Sequence, residues 1–190
     1  MELAMDSLKD KIEFRVRWEP FLLNPKSPPD GSPKPAAYTD PSNPRVAMLK
    51  KTGESLGIEM YNQPKVFPST LKAHTLLEYA RTKNDGENQN EMAERLFMKY
   101  FSEADVLKED TLLSVAKEFG FDENEVKSYI NDQQENVLQK ALMWANKGIS
   151  GVPAFYMNGQ KMFSGAQEPD AFKRMFEIAA ERFPVPQSKS

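Results

Sequence analysis

The chain has 190 residues, 39% hydrophobic and 28% charged with a net charge of −3, enough for one domain with a sizeable core. It has no cysteine and one histidine, which excludes disulfides, thiolate catalysis, iron–sulfur clusters and cysteine or multi-histidine metal sites. No basic cluster calls for a nucleic-acid partner, and no apolar run approaches the roughly 20 residues that span a bilayer. The acidic start Met1-Glu2-Leu3-Ala4-Met5-Asp6 lacks the basic and apolar regions of a signal peptide, so a cytoplasmic product is expected.

Met1, Ala4, Met5 and Leu8 recur at helical spacing with no N-cap ahead of them, as in the end of a helix. From Ile12 to Glu19 the apolar Ile12, Phe14, Val16 and Trp18 alternate with Glu13, Arg15, Arg17 and Glu19. That period predicts a strand with one core face and one charged, solvated face. Pro25 to Pro44 holds seven of the chain's 14 prolines, so an extended surface loop is expected there.

A helical block follows. Short helical spacing covers Val46–Lys51, and a longer helix is expected over Ser69–Lys83, capped by Ser69 or Thr70. Glu91–Phe101 and Glu109–Phe119 are further helices, the second stopped by Gly120. Asp122 with Glu125, and Asp132 with Glu135, each match a helix start, the second opening a helix buried through Val137, Leu138 and Ala141. Asn158-Gly159 between Pro153–Met157 and Gln160–Phe163 predicts a hairpin with a two-residue turn. Pro169 then opens a final helix with Phe172, Phe176, Ala179 and Phe183 on one stripe, and residues 185–190 form a loose tail.

These motifs carry a resemblance. Trp18-Glu19-Pro20-Phe21-Leu22-Leu23-Asn24-Pro25, Phe67-Pro68-Ser69-Thr70 with Ala73-His74 and Leu77-Glu78-Tyr79-Ala80, the run Gly148 to Phe155, and Gly165-Ala166-Gln167 resemble, in order, FrnE-like members of the DsbA family. The resemblance implies an α/β fold: a thioredoxin-like core in parts (1–23 and 148–184) with a mainly helical insertion (45–147) and a proline-rich loop (24–44). It also implies dithiol–disulfide exchange by a Cys-x-x-Cys pair at the start of the first helix, after a central first strand. Here both are expected to lie upstream of Met1, so that about 30 residues of an intact domain are absent. Without that strand, Ile12–Glu19 would have unpaired backbone groups or would pair directly with Pro153–Met157.

The resemblance assigns a cis peptide bond to Val152-Pro153 and makes this loop the place where a peptide or thiol substrate pairs, whereas the residues alone suggest a proline opening an edge strand. His74 reads either as a group beside the thiol chemistry or as a helix histidine flanking Ala73 and Leu77. Gln167, at the start of the last helix, reads either as an ordinary helix start or as part of an anion site suited to a carboxylate such as that of glutathione. Trp18 and Trp144 read as core. Three functions compete: a DsbA-like oxidoreductase left without its cysteines, a glutathione-binding kappa-transferase or isomerase relative, and a non-catalytic peptide-binding module. A serine hydrolase is not expected, because its triad would have to use His74 and nothing around the serines suggests a nucleophile elbow.

Overall fold

In the computed structural model, which describes residues 1–58 and 64–185, the chain opens with helix α1 (Glu2–Asp6) and an extended stretch. Strand β1 (Ser32–Pro33), helix α2 (Ala36–Thr39), helix α3 (Pro44–Ser55) and strand β2 (Val66–Phe67) follow. Helices α4 (Leu71–Thr82), α5 (Gln89–Phe101), α6 (Glu109–Glu118) and α7 (Glu123–Asn146) come next. Strands β3 (Ala154–Met157) and β4 (Gln160–Ser164) and helix α8 (Pro169–Arg182) come last. The chain divides into two units: Met1–Val16 with the residues from Trp144 on, and Arg17–Met143.

The first unit is an aromatic core under a hairpin. Asn158 at φ 48° and Gly159 at φ 80° form the expected turn, where glycine accepts a left-handed backbone without a Cβ clash. β3 and β4 pair antiparallel, with Phe155 opposite Phe163 and an irregularity before Tyr156. Both rings press on Phe172 of α8, with centroids at 4.9 and 5.0 Å. Ala4 and Leu8 are buried against the same side of α8, joined by Ile12 and Phe14, whose ring lies 4.8 Å from Phe176.

Ile12–Glu19 is extended and shows the expected burial: Ile12, Phe14, Val16 and Trp18 half-buried, Glu13, Arg15, Arg17 and Glu19 exposed. Yet it joins no ladder among the described residues. The strand expected from the alternation is therefore half formed. The side chains have their core, but the backbone has no partner strand, and direct pairing with β3 does not occur.

The second unit is a helix cluster around Leu76, Tyr79, Met92, Leu112, Val115 and Ile130, all essentially fully buried. Tyr79 meets Phe121 and Tyr129 edge-on at 5.2 and 5.1 Å. Its charged groups sit where helices meet. Buried Glu78 on α4 accepts from Arg81 and from Lys140 of α7, and Arg95 of α5 bonds Glu118 of α6 at 2.7 Å.

Two expectations are corrected here. The proline-rich stretch is not wholly extended loop, because Ser32 and Pro33 pair with Phe67 and Val66, and α2 follows. Pro33 fits because a proline can occupy the edge of a two-stranded ladder. Lys34 then carries the backbone inward: its N–H donates to the Lys65 carbonyl at 2.8 Å, and its ammonium lies 5.0 and 4.7 Å from the Phe67 and Tyr100 ring centres. Gly31 is obligatory at this point, since a Cβ would sit 2.4 Å from the Phe67 carbonyl oxygen.

The second correction concerns Asp132. α7 runs unbroken for 24 residues, so Asp132 is an interior residue whose carboxylate accepts from Ser128 Oγ one turn earlier at 3.3 Å. Asp122 does cap, accepting from the Glu125 N–H at 2.9 Å. Nothing between the two aspartates breaks a helix, and a cap residue without a preceding stop starts nothing. α3 is likewise longer than expected, because Asn43 caps the Arg45 N–H at 2.9 Å and Pro44 occupies the first helical position. Of the tail at 185–190, residues 186–190 lie outside the described residues.

Candidate functional site

The segment from α7 to β3 is turned back at its start. Gly148 and Ile149 donate to the Ala145 and Trp144 carbonyls at 3.0 and 3.3 Å, and the Ile149 side chain is buried. Beyond that anchor the backbone surfaces: Ser150, Val152 and Pro153 are exposed, Val152 by 53%. The Val152–Pro153 bond is cis. The Pro153 carbonyl accepts from the Gly165 N–H at 2.8 Å, which adds a contact to the hairpin beyond the Ala154–Ser164 pair. No hydrogen bond among the described residues engages the Val152 N–H or C=O. Among the described residues β3 pairs only with β4. The loop therefore offers an apolar side chain with free main-chain groups beside a strand with an open edge.

Gln167 belongs to the same unit, two residues past the Gly165 turn, and is exposed. It precedes Glu168 at the N-cap position of α8 and Asp170 in its first turn. These two carboxylates occupy the positive end of the helix dipole, so the place is already served by negative charge. Trp144 meets Tyr156 at a tilt, with ring centroids 5.1 Å apart, and its indole N–H is buried without a partner among the described residues.

His74 lies in the other unit, on α4, with its imidazole hydrogen-bonded to the Phe21 backbone. Burial pushes its pKa down to about 4, against the smaller upward pull of that hydrogen bond. At neutral pH it is an uncharged ring that ties the segment after Trp18 to α4. Among the described residues no cluster of three or more His, Cys, Asp or Glu could hold a metal ion. No helix among them is long and apolar enough to cross a membrane.

Residues 2–177 match the family model of the DSBA-like thioredoxin domain. The chain belongs to that family. It is also similar to a solved structure, a probable DsbA oxidoreductase from Streptomyces coelicolor. The TM-score is 0.73 at 21% identity, and the match covers all of this protein and 86% of the other. At that identity the likeness speaks for the fold alone: thioredoxin-like α/β with a helical insertion. None of the curated proteins is a detectable match.

As a DsbA-like domain the protein is unusual in chemistry. With no cysteine among its 190 residues it has no thiol to attack a disulfide. One residue that sequence reasoning missed is Gln89 of α5. It is 1% exposed, and its amide bonds the N–H and C=O of Trp18 at 2.9 and 3.0 Å and the Leu77 carbonyl at 3.0 Å. Asn90 beside it accepts from the Trp18 indole at 2.8 Å. Nothing in the local sequence marks this pair, since glutamine and asparagine near a helix start read as surface residues.

The state of His74 predicts an acid-sensitive fold. Its pKa falls from about 6.5 in the unfolded chain to about 4 in the native one, so as pH falls the unfolded chain takes up the proton first. The stabilisation is complete above pH 6.5 and is lost as pH drops through 4, by up to about 3 kcal/mol. Urea midpoints for the wild type and His74→Gln across this window should diverge, the wild type falling more steeply. Parallel slopes would show that His74 is not the group responsible.

Proposed function

We propose that this protein is a DsbA-like domain of the FrnE-like branch that holds an extended polypeptide at Val152–Pro153 and performs no disulfide exchange of its own. The observation that carries the reading is the exposed Val152, whose main-chain groups have no hydrogen-bond partner among the described residues, in a family domain without a cysteine. An extended peptide laid along this loop gains main-chain hydrogen bonds, while Val152 contributes an apolar contact. Gln167 lies two residues past the Gly165 turn, while His74 belongs to the other unit and takes no part in the binding.

The FrnE-like assignment is supported by the ordered segments from Trp18 to Gln167 that resemble that branch. That Ile12–Val16 joins no ladder among the described residues supports a companion proposal. In a working oxidoreductase of this type, a further strand pairs with that segment and brings the dithiol motif with it, outside the residues present here. Glutathione binding stands second, because Glu168 and Asp170 oppose a carboxylate at the start of α8.

The test pairs binding with turnover. Fluorescence anisotropy of a labelled, thiol-containing extended peptide should show saturable binding, while insulin disulfide reduction stays at the rate of the reductant alone. Val152→Asp should weaken peptide binding about tenfold by burying a charge at the contact. His74→Ala should leave binding unchanged. Turnover by this protein, equal binding by Val152→Asp, or displacement of the peptide by glutathione would each sink the reading.

A further inference from the structure

Outside the peptide loop, the turn of the β3–β4 hairpin combines three features the fold alone does not require. Asn158 is exposed and followed by Gly159, which is also exposed. Apart from Gly159 and its two chain neighbours, no atom of the described residues lies within 4 Å of where a Gly159 Cβ would sit, so that side of the turn is open. The Asn158 side chain nevertheless does not point idly into solvent. Its Nδ2 donates to the Phe183 carbonyl at 2.9 Å and, at the limit of hydrogen bonding, to the Ala179 carbonyl at 3.5 Å. Those oxygens lie at the C-terminal end of α8, where the Ala179 carbonyl also accepts the Phe183 N–H at 3.0 Å and Phe183 is the residue just past the last helical one. One amide thus ties the hairpin turn to the end of α8, 25 residues away in sequence.

We propose that Asn158 is a deamidation site, held in check by its bond to the end of α8, and that its conversion to a carboxylate releases that helix end from the hairpin. In the reaction the Gly159 nitrogen attacks Asn158 Cγ. A new bond forms between that nitrogen and Cγ as the bond from Cγ to Nδ2 breaks, and ammonia leaves with the proton from the Gly159 amide. Water then opens the cyclic imide to aspartate or isoaspartate. The sum is amide plus water to acid plus ammonia, with no change of oxidation state and no other reactant. Glycine favours the attack because it lacks a Cβ to crowd the nucleophile.

The hydrogen bonds give the reaction its gate. While Nδ2 is tied to Phe183, the leaving nitrogen is fixed and the side chain is not free to swing toward Gly159. Fraying of the last turn of α8 frees it. Conversion cannot be reversed by re-docking, because the product carboxylate donates nothing. It would face carbonyl oxygens at the negative end of the α8 dipole, where negative charge is repelled.

The experiment uses the full-length protein, aged in mildly alkaline buffer with and without denaturant, followed by peptide mass mapping. Conversion should concentrate at Asn158, about tenfold slower in the native state than in the denatured one, as loss of one hydrogen bond predicts. Native-state hydrogen exchange then reads the consequence. Asn158→Asp should raise exchange of the Ala179–Phe183 amides about tenfold. Asn158→Gly, which keeps the turn and adds no charge, should raise it less, and circular dichroism verifies that both variants fold. Equal conversion rates in the native and denatured states would overturn the gate. Unchanged exchange in Asn158→Asp, or an effect no larger than that of Asn158→Gly, would overturn the release.

Discussion

Phe172→Ala should cost the fold roughly 4 kcal/mol, enough to threaten a domain whose whole stability is about 5–15 kcal/mol. Phe172 is 3% exposed and sits at the junction of Phe155, Phe163 and Phe176, with ring centroids at 4.9, 5.0 and 6.0 Å. Truncation removes the buried ring, leaves a cavity and deletes three ring pairs at once. The surroundings cannot collapse cheaply, because two of the partners are fixed opposite each other in the β3–β4 ladder. Chemical denaturation followed by near-ultraviolet circular dichroism gives the figure. A loss below about 1.5 kcal/mol would mean the first unit repacks as a loose cluster rather than as this four-ring arrangement.

The second large effect is expected at a polar residue. Gln89→Leu keeps the side-chain volume close and should still destabilise by about 3 kcal/mol, since three hydrogen bonds disappear together. The Trp18 N–H and C=O lose their partner, and a leucine offers nothing in exchange. Gln89→Glu is the informative companion, because a carboxylate still accepts from the Trp18 N–H but cannot donate to the Trp18 and Leu77 carbonyls. Its stability should be no better than that of Gln89→Leu, with an added burden from burying charge. Trp18 fluorescence against urea follows both variants at the residue concerned. Wild-type stability in Gln89→Leu would mean that water replaces the amide without loss.

These two residues mark how far the sequence could be read. Phe172 was legible: with Phe176 and Ala179 it repeats at helical spacing behind Pro169, and a stripe of that kind has to face a core. The hairpin was legible for a similar reason, because Asn158-Gly159 meets the backbone demands of a two-residue turn within the turn itself. Gln89 was not. Its role depends on Trp18, 71 residues earlier, arriving with both main-chain groups unpaired. Lys34, brought between Phe67 and Tyr100, is another residue whose surroundings are made by distant parts of the sequence.

The candidate site divides in the same way. The lack of cysteine settled from composition that this protein brings no thiol, and the resemblance singled out Val152 and Pro153. That the Val152 main chain meets no hydrogen-bond partner among the described residues is a fact of three dimensions, as is the chemical state of His74. Burial and one backbone contact turn a residue that would ordinarily titrate near neutrality into an uncharged brace.

By itself, then, the sequence determined the elements whose signals are local: the hairpin turn, the amphipathic stripes, the Asp122 cap, and the exclusion of thiol and multi-histidine chemistry. The tertiary structure decided whether Ile12–Glu19 became a paired strand, whether Asp132 began a helix, and which polar groups were buried. The reason is physical. A turn or a stripe is satisfied within a few residues, whereas a ladder hydrogen bond, a buried amide or a shifted pKa exists only when distant parts of the sequence meet.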